Sequence, residues 1–65
     1  MKIQYFEDTD TLYIVFKSSD IVETRDLDEN TLIELDAEGH VCAMTMEHAS
    51  RRTDAKHVTF EQIAA

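Results

Sequence analysis

The stretch HVCAMTMEH, His40 to His48, decides how this chain is read. On a β-strand, alternate residues share a face. His40, Cys42, Met44, Met46 and His48 then point one way, presenting two imidazoles, a thiol and two thioethers. Two readings compete. Soft sulfur and imidazole ligands suit Cu(I) or Zn(II), and Met and free Cys are also ordinary core fillers. Geometry separates them. Same-face neighbours on one strand stand about 7 Å apart, at a rise of about 3.3 Å per residue. Ligand bonds are only about 2.0–2.3 Å long, so one ion reaches two of these side chains at most. By the same rise, His40 and His48 lie more than about 20 Å apart. His57 is the one other histidine. The stretch is therefore a core strand, and neither a metal nor another cofactor is expected.

Working outward, AEGH (Ala37 to His40) is a turn, because Gly39 takes positive φ at no steric cost. Before it, TLIELD (Thr31 to Asp36) alternates with Ile33 and Leu35 on one face. Asp28, Glu29 and Asn30 make the preceding turn, and IVETRDL (Ile21 to Leu27) is a more charged strand suited to an edge. SSD (Ser18 to Asp20) is a turn after TLYIVFK (Thr11 to Lys17). That strand is apolar on both sides, with Leu12, Ile14 and Phe16 on one face and Tyr13 and Val15 on the other. Such a strand is either central and covered or lies at a subunit interface. EDTD (Glu7 to Asp10) is a short polar connection back to KIQYF (Lys2 to Phe6), with Ile3 and Tyr5 on one face. Downstream, the period of two is lost. Glu47 to Arg52 reads as one or two helical turns, and VTFEQI (Val58 to Ile63) reads as a last short strand, with a helix as the alternative.

The sum is a small α+β domain spanning 1–65: a mostly antiparallel sheet of about five strands in meander order, one short helix and a C-terminal tail. The expected core is Ile3, Tyr5, Leu12, Ile14, Phe16, Val22, Ile33, Leu35, Met44 and Met46. A sheet this small needs the helix and tail, or a second copy, to cover a face.

With 65 residues, one domain is the natural count. A domain of this size buries only roughly 60% of the surface exposed by its unfolded chain. Cys42 is the only cysteine, so no disulfide forms within the chain, and a lone thiol suits a reducing compartment. The opening MKIQYFEDTD lacks the apolar core of a signal peptide, and no run is long enough to span a bilayer. A cytoplasmic protein without membrane association is expected. Fourteen acidic residues against six basic ones give a net charge of −8. That field repels phosphate backbones, so direct nucleic-acid binding is not expected, and a basic protein is the better-matched partner.

Few residues suggest chemistry. Glu7, Asp8 and Asp10 crowd one turn, but their spacing matches no full calcium loop. They read as a solvated hairpin turn in which Asp10 accepts backbone N–H groups. HASRR (His48 to Arg52) sets a serine near a histidine without an orienting group or oxyanion-hole glycines. Ser50 or a neighbour reads better as a helix cap, and Arg51 and Arg52 as partners of the abundant acids. Arg51 and Arg52 are also the densest positive charge in the chain. With Tyr13 and Val15 on the second apolar face, they are the candidate interaction residues. No catalytic constellation assembles, and an enzyme is not expected.

Taken in order, several segments carry a resemblance. These are Tyr5 followed by DTDTLYI (Asp8 to Ile14), VETRDL (Val22 to Leu27), LIELDAEGHV (Leu32 to Val41) and AMTMEHASRR (Ala43 to Arg52). Together they resemble the bacterial family called domain of unknown function 2283, or YuzE-like, over nearly the whole chain. The chain departs from the family at Phe6, where a turn-starting residue is usual, and at Ala43 to Met46, where Gly-Ile-Glu-Ile is usual. Met44 and Met46 thus match aliphatic positions, which agrees with their core reading. The resemblance implies a small antiparallel β fold with a short helix and brings no established activity. Some family members are encoded beside small toxin-like proteins, which implies an antitoxin-like role. Toxins that act on RNA are typically basic, in keeping with the acidic charge of this chain. Two functions are therefore expected in competition: an acidic interaction module for a small basic, toxin-like protein, and a self-associating homodimeric domain.

Overall fold

The computed structural model describes residues 1–64. Five strands and one helix follow in chain order: β1 (Lys2–Phe6), β2 (Thr11–Val15), β3 (Glu23–Asp28), β4 (Thr31–Leu35), β5 (Val41–Glu47) and α1 (Ala49–Arg52). All strand pairs are antiparallel within one sheet. The α+β class, the strand number, the short helix and the C-terminal tail are as the sequence predicts.

The strand order is β1-β2-β5-β4-β3, which corrects the expected meander. Strands β3, β4 and β5 do follow one another as neighbours, but β2 pairs with β5 and not with β3. Side-chain character explains the exchange. Every residue of β3 is exposed, and its sequence ETRDLD suits only an edge. β5 carries Ala43 and Thr45 on one side and Met44 and Met46 on the other, so it tolerates neighbours on both flanks.

The register defines two faces. One carries the rows Tyr5–Leu12–Met46–Thr31 and Ile3–Ile14–Met44–Ile33–Arg25. The other carries Gln4–Tyr13–Thr45–Leu32–Asp26 and Lys2–Val15–Ala43–Glu34–Thr24. Helix α1 and the segment beyond it cover the first face: Ala49 and Ala55 are buried with Leu12, and Tyr5, Ile14 and Met46 pack against them. On the second face Tyr13, Val15, Leu32, Glu34 and Thr45 stay half-exposed.

Two irregularities interrupt the ladder. Opposite Glu34 and Leu35, β5 carries Cys42 as an extra residue between Ala43 and Val41. The Cys42 carbonyl accepts two N–H groups, from Phe16 at 2.8 Å and Lys17 at 3.3 Å, and its side chain is buried. Such a bulge bends the strand and raises its local twist. Leu27 is the extra residue of a second bulge, between Asp26 and Asp28 of β3.

The single-face row expected from His40 to His48 is therefore not formed. β5 stops short of both histidines, and His48 takes the left-handed conformation, φ 55°, where the chain turns into α1. The core also shifts. Leu12, Ile33 and Leu35 are buried as expected, but the smaller Cys42, Ala43, Ala49 and Ala55 join them. Ile3, Phe16 and Val22 stay exposed, because Ile3 lies on an edge strand and Val22 just ahead of one. The expected strand Val58 to Ile63 is neither strand nor helix. Val58, Phe60 and Ile63 are all exposed. Their spacing breaks a period of two, since Val58 and Phe60 share a phase that Ile63 leaves. Among the described residues, no helix is long and apolar enough to cross a membrane.

Candidate interaction surface

Charges that the fold uses for itself must be separated from those it presents outward. At one end of the sheet, Asp36 closes the β4–β5 connection. Its Oδ1 accepts the N–H groups of Glu38 at 3.0 Å and His40 at 2.9 Å, and its Oδ2 faces Lys17 Nζ at 3.0 Å. The backbone continues the turn, with Gly39 N–H donating to the Asp36 carbonyl at φ +84°. The His40 N–H, Lys17 and the Glu38 N–H together hold the buried Asp36 carboxyl down to about 2. The same hydrogen bond raises the Lys17 ammonium above its ordinary value.

At the opposite end, Asp10 closes the β1–β2 hairpin in a left-handed conformation, φ 54°, which Asp adopts more readily than most residues. Its carboxylate accepts the Tyr5 hydroxyl at 2.5 Å, the Ser50 N–H at 3.1 Å and the Ser50 hydroxyl at 2.8 Å. Its backbone carbonyl accepts the Ala49 N–H. Asp10 thus caps a helix 40 residues away. Contrary to expectation, Asp10 does not serve its own turn, where Asp8 accepts the Thr9 N–H instead. Of the expected cap, Ser50 or a neighbour, His48 takes the N-cap position without a side-chain bond, and Ser50 is held by Asp10. Donation by Tyr5, then Ser50, lowers the Asp10 carboxyl below its usual range, and the same bond raises the Tyr5 hydroxyl. A carboxylate stabilised in its charged form is a weak proton acceptor. The trio fits a structural joint better than a catalytic base.

Of the four candidate interaction residues, Arg52 is engaged within the chain. Its guanidinium donates to the Asn30 carbonyl at 3.0 Å and faces Asp28 Oδ2 at 3.3 Å, tying α1 to the β3–β4 turn. Asp28 is itself held below its ordinary range, first by the Asn30 N–H. Arg51 is exposed and has no ion-pair partner among the described residues. Tyr13 and Val15 come together on the open face beside Ala43 and near the β2–β3 connection. The structure thus separates the four: Tyr13 and Val15 share a surface, Arg51 stands apart, and Arg52 supports the fold.

The carboxylates left over have a pattern. Lys17, Arg25, Arg52 and Lys56 face Asp36, Glu23, Asp28 and Glu7. Asp20, Asp26, Glu29, Glu34 and Glu47 have no cationic partner among the described residues. Asp26, Glu34 and Glu47 belong to the open face, around Tyr13, Val15, Leu32 and Thr45. The arrangement is an apolar, half-exposed centre with acids from β3, β4 and β5 around it and Lys2 at its β1 corner, at the side of the sheet that α1 does not cover. Tyr13 and Val15 are legible in the sequence as a second apolar face but these acids are not, because Asp26, Glu34 and Glu47 come from three strands whose adjacency depends on the strand order. Among the described residues, no three His, Cys, Asp or Glu side chains are placed to hold a metal ion.

No curated protein and no solved structure matches the chain. A family model described as protein of unknown function (DUF2283) matches residues 2–50, which takes in all five strands and the Asp10–Ser50 joint. The chain is a member of the DUF2283 family.

Proposed function

We propose that this DUF2283 protein is a non-catalytic, acidic interaction module whose partner is a small basic protein, in the manner of an antitoxin. The observation that carries the reading is the division of the carboxylates. Asp10 and Asp36 are bound into the fold, whereas Asp26, Glu34 and Glu47 lie without ion-pair partners among the described residues around an open, half-apolar face that carries Lys2 at its β1 corner. Such a field steers a basic partner and accelerates its association, and the apolar centre supplies area to bury. The test is retention of a partner on the tagged protein in cell extract. A stoichiometric small basic protein that is held at low salt and released at high salt supports the reading. Retention of no basic protein at low salt overturns it.

One observation favours a second reading, homodimerisation. Met1, Ile3 and Phe60 form an exposed apolar patch beside the β1 edge. A second copy would remove that patch from water without bringing the acidic rims together. Molar mass by sedimentation at micromolar concentration decides: twice the chain mass, lost in Phe60→Ser, supports a dimer, and a monomer excludes it.

A further inference from the structure

We infer that the free edge of β3 is the docking site for a basic, extended segment of the partner, which adds to the sheet as a sixth strand. The inference rests on the acidic-module reading and names the surface and the chemistry it selects. β3 ends the sheet, with β4 on one side and no strand on the other among the described residues. An edge strand presents a row of unpaired N–H and C=O groups, a template for another chain. All six residues of β3 are exposed, so nothing must move to admit a partner.

Charge then selects the occupant. Asp20, Glu23, Asp26, Asp28 and Glu29 face one cation of the same segment, Arg25. That is a net −4 over ten residues of a chain whose total is −8. Arg25 is engaged by Glu23 at 2.7 Å and Asp28 by Arg52 at 3.3 Å, which leaves Asp20, Asp26 and Glu29 without a cation. A second copy of β3 would set like charges against each other, which destabilises a strand pair. A strand with Lys or Arg beside Asp26 would be attracted instead. The bulge at Leu27 ends regular pairing, so the incoming strand registers on Glu23 to Asp26. The other edge, β1, differs in kind: its strand carries the single charge Lys2 and adjoins the apolar Met1, Ile3 and Phe60.

The probe is a short peptide of alternating lysine and valine, titrated into the isotopically labelled full chain at low salt. Amide shifts should concentrate on Glu23 to Asp28, and the affinity should fall roughly tenfold or more as salt is raised to screen the surface charges. The same peptide N-methylated at alternate residues should not bind, since it keeps its charge but cannot complete a ladder. Asp26→Lys should abolish binding with the far-ultraviolet spectrum unchanged, and Glu61→Lys in the exposed C-terminal tail should leave it intact. Equal binding of the N-methylated peptide, or shifts centred on Tyr13 and Val15, overturns strand addition while leaving the acidic-module reading in place. No binding of either peptide at low salt counts against both.

Discussion

The turns at Asp36 and Asp10 close opposite ends of the same sheet with the same carboxylate, yet they work over different distances. Asp36 gathers donors mostly from its own turn, the N–H groups of Glu38 and His40, and adds Lys17 from just beyond β2. Asp10 takes nothing from its own turn and reaches Tyr5 on β1 and Ser50 on α1. The first is a local device that forms wherever the sequence places Asp ahead of Gly in a short connection. The second is a tertiary joint that exists only once α1 has docked on the sheet. In a chain with no disulfide and a small core, the two ends are therefore stabilised by different physics, one by local chain geometry and the other by packing.

Removing the packing should have the largest effect. Leu12 is buried under Ala49 and Ala55 at the Asp10 end, and Leu12→Ala is expected to cost about 2–5 kcal/mol. In a domain this small that is enough to unfold much of the population. Urea denaturation measures it, and a loss under about 1 kcal/mol would mean that α1 contributes little to the Asp10 end.

A pair of substitutions separates the ends next. Asp10→Ala should accelerate hydrogen exchange at the Ser50 amide and release α1, whereas Asp36→Ala should leave Ser50 protected and expose the His40 amide. Equal loss of protection at both sites in either variant would erase the distinction. Both ends weaken toward acid, because both carboxyls are lowered in the fold. Because the folded Asp36 carboxyl lies at about 2, below the unfolded value of about 3.9, the unfolded chain binds the proton more readily. The contribution is fully present above the unfolded value and is lost as the pH falls through the folded one. Asp36→Asn should flatten the fall in urea midpoint across that window, and a carbon-13 titration of Asp36 should show its carboxyl still ionised at pH 3.

The turn glycine gives a smaller effect. Gly39 has φ +84° and open space where a Cβ would stand, so Gly39→Ala should cost about 1–2 kcal/mol through backbone strain alone. Gly39→Asn should recover part of it. The smallest effect belongs to the helix. Arg51 is exposed while Arg52 is tied to Asn30 and Asp28. Arg51→Ala should stay within about 0.5 kcal/mol of the parent, and Arg52→Ala should lose clearly more in the same denaturation series.

How much of this is legible in advance varies with distance along the chain. The β4–β5 turn is plain in the sequence, since Leu35-Asp36-Ala37-Glu38-Gly39 contains both its acceptor and its positive-φ residue. The edge character of β3 is plain as well, from its charges. The Asp10–Ser50 joint is not. Its one local sign is a polar turn crowded with acids, which reads equally well as solvated, and the partner serine lies 40 residues on. The roles of Arg51 and Arg52 are also closed to sequence, because adjacent arginines on a helix point in different directions and only the docked helix shows which one meets Asp28.

The alternation of apolar residues and the turn chemistry between them fixed the number of strands, their antiparallel sense and the acidic surface. These depend on neighbours within a few positions, where sterics and hydrogen-bond reach act directly. Tertiary structure alone decided that β5 stands between β2 and β4, that small residues fill the core beneath α1, and that acids from three strands rim one open face. Those outcomes depend on which faces can be covered at once, a competition among whole strands that no single segment encodes.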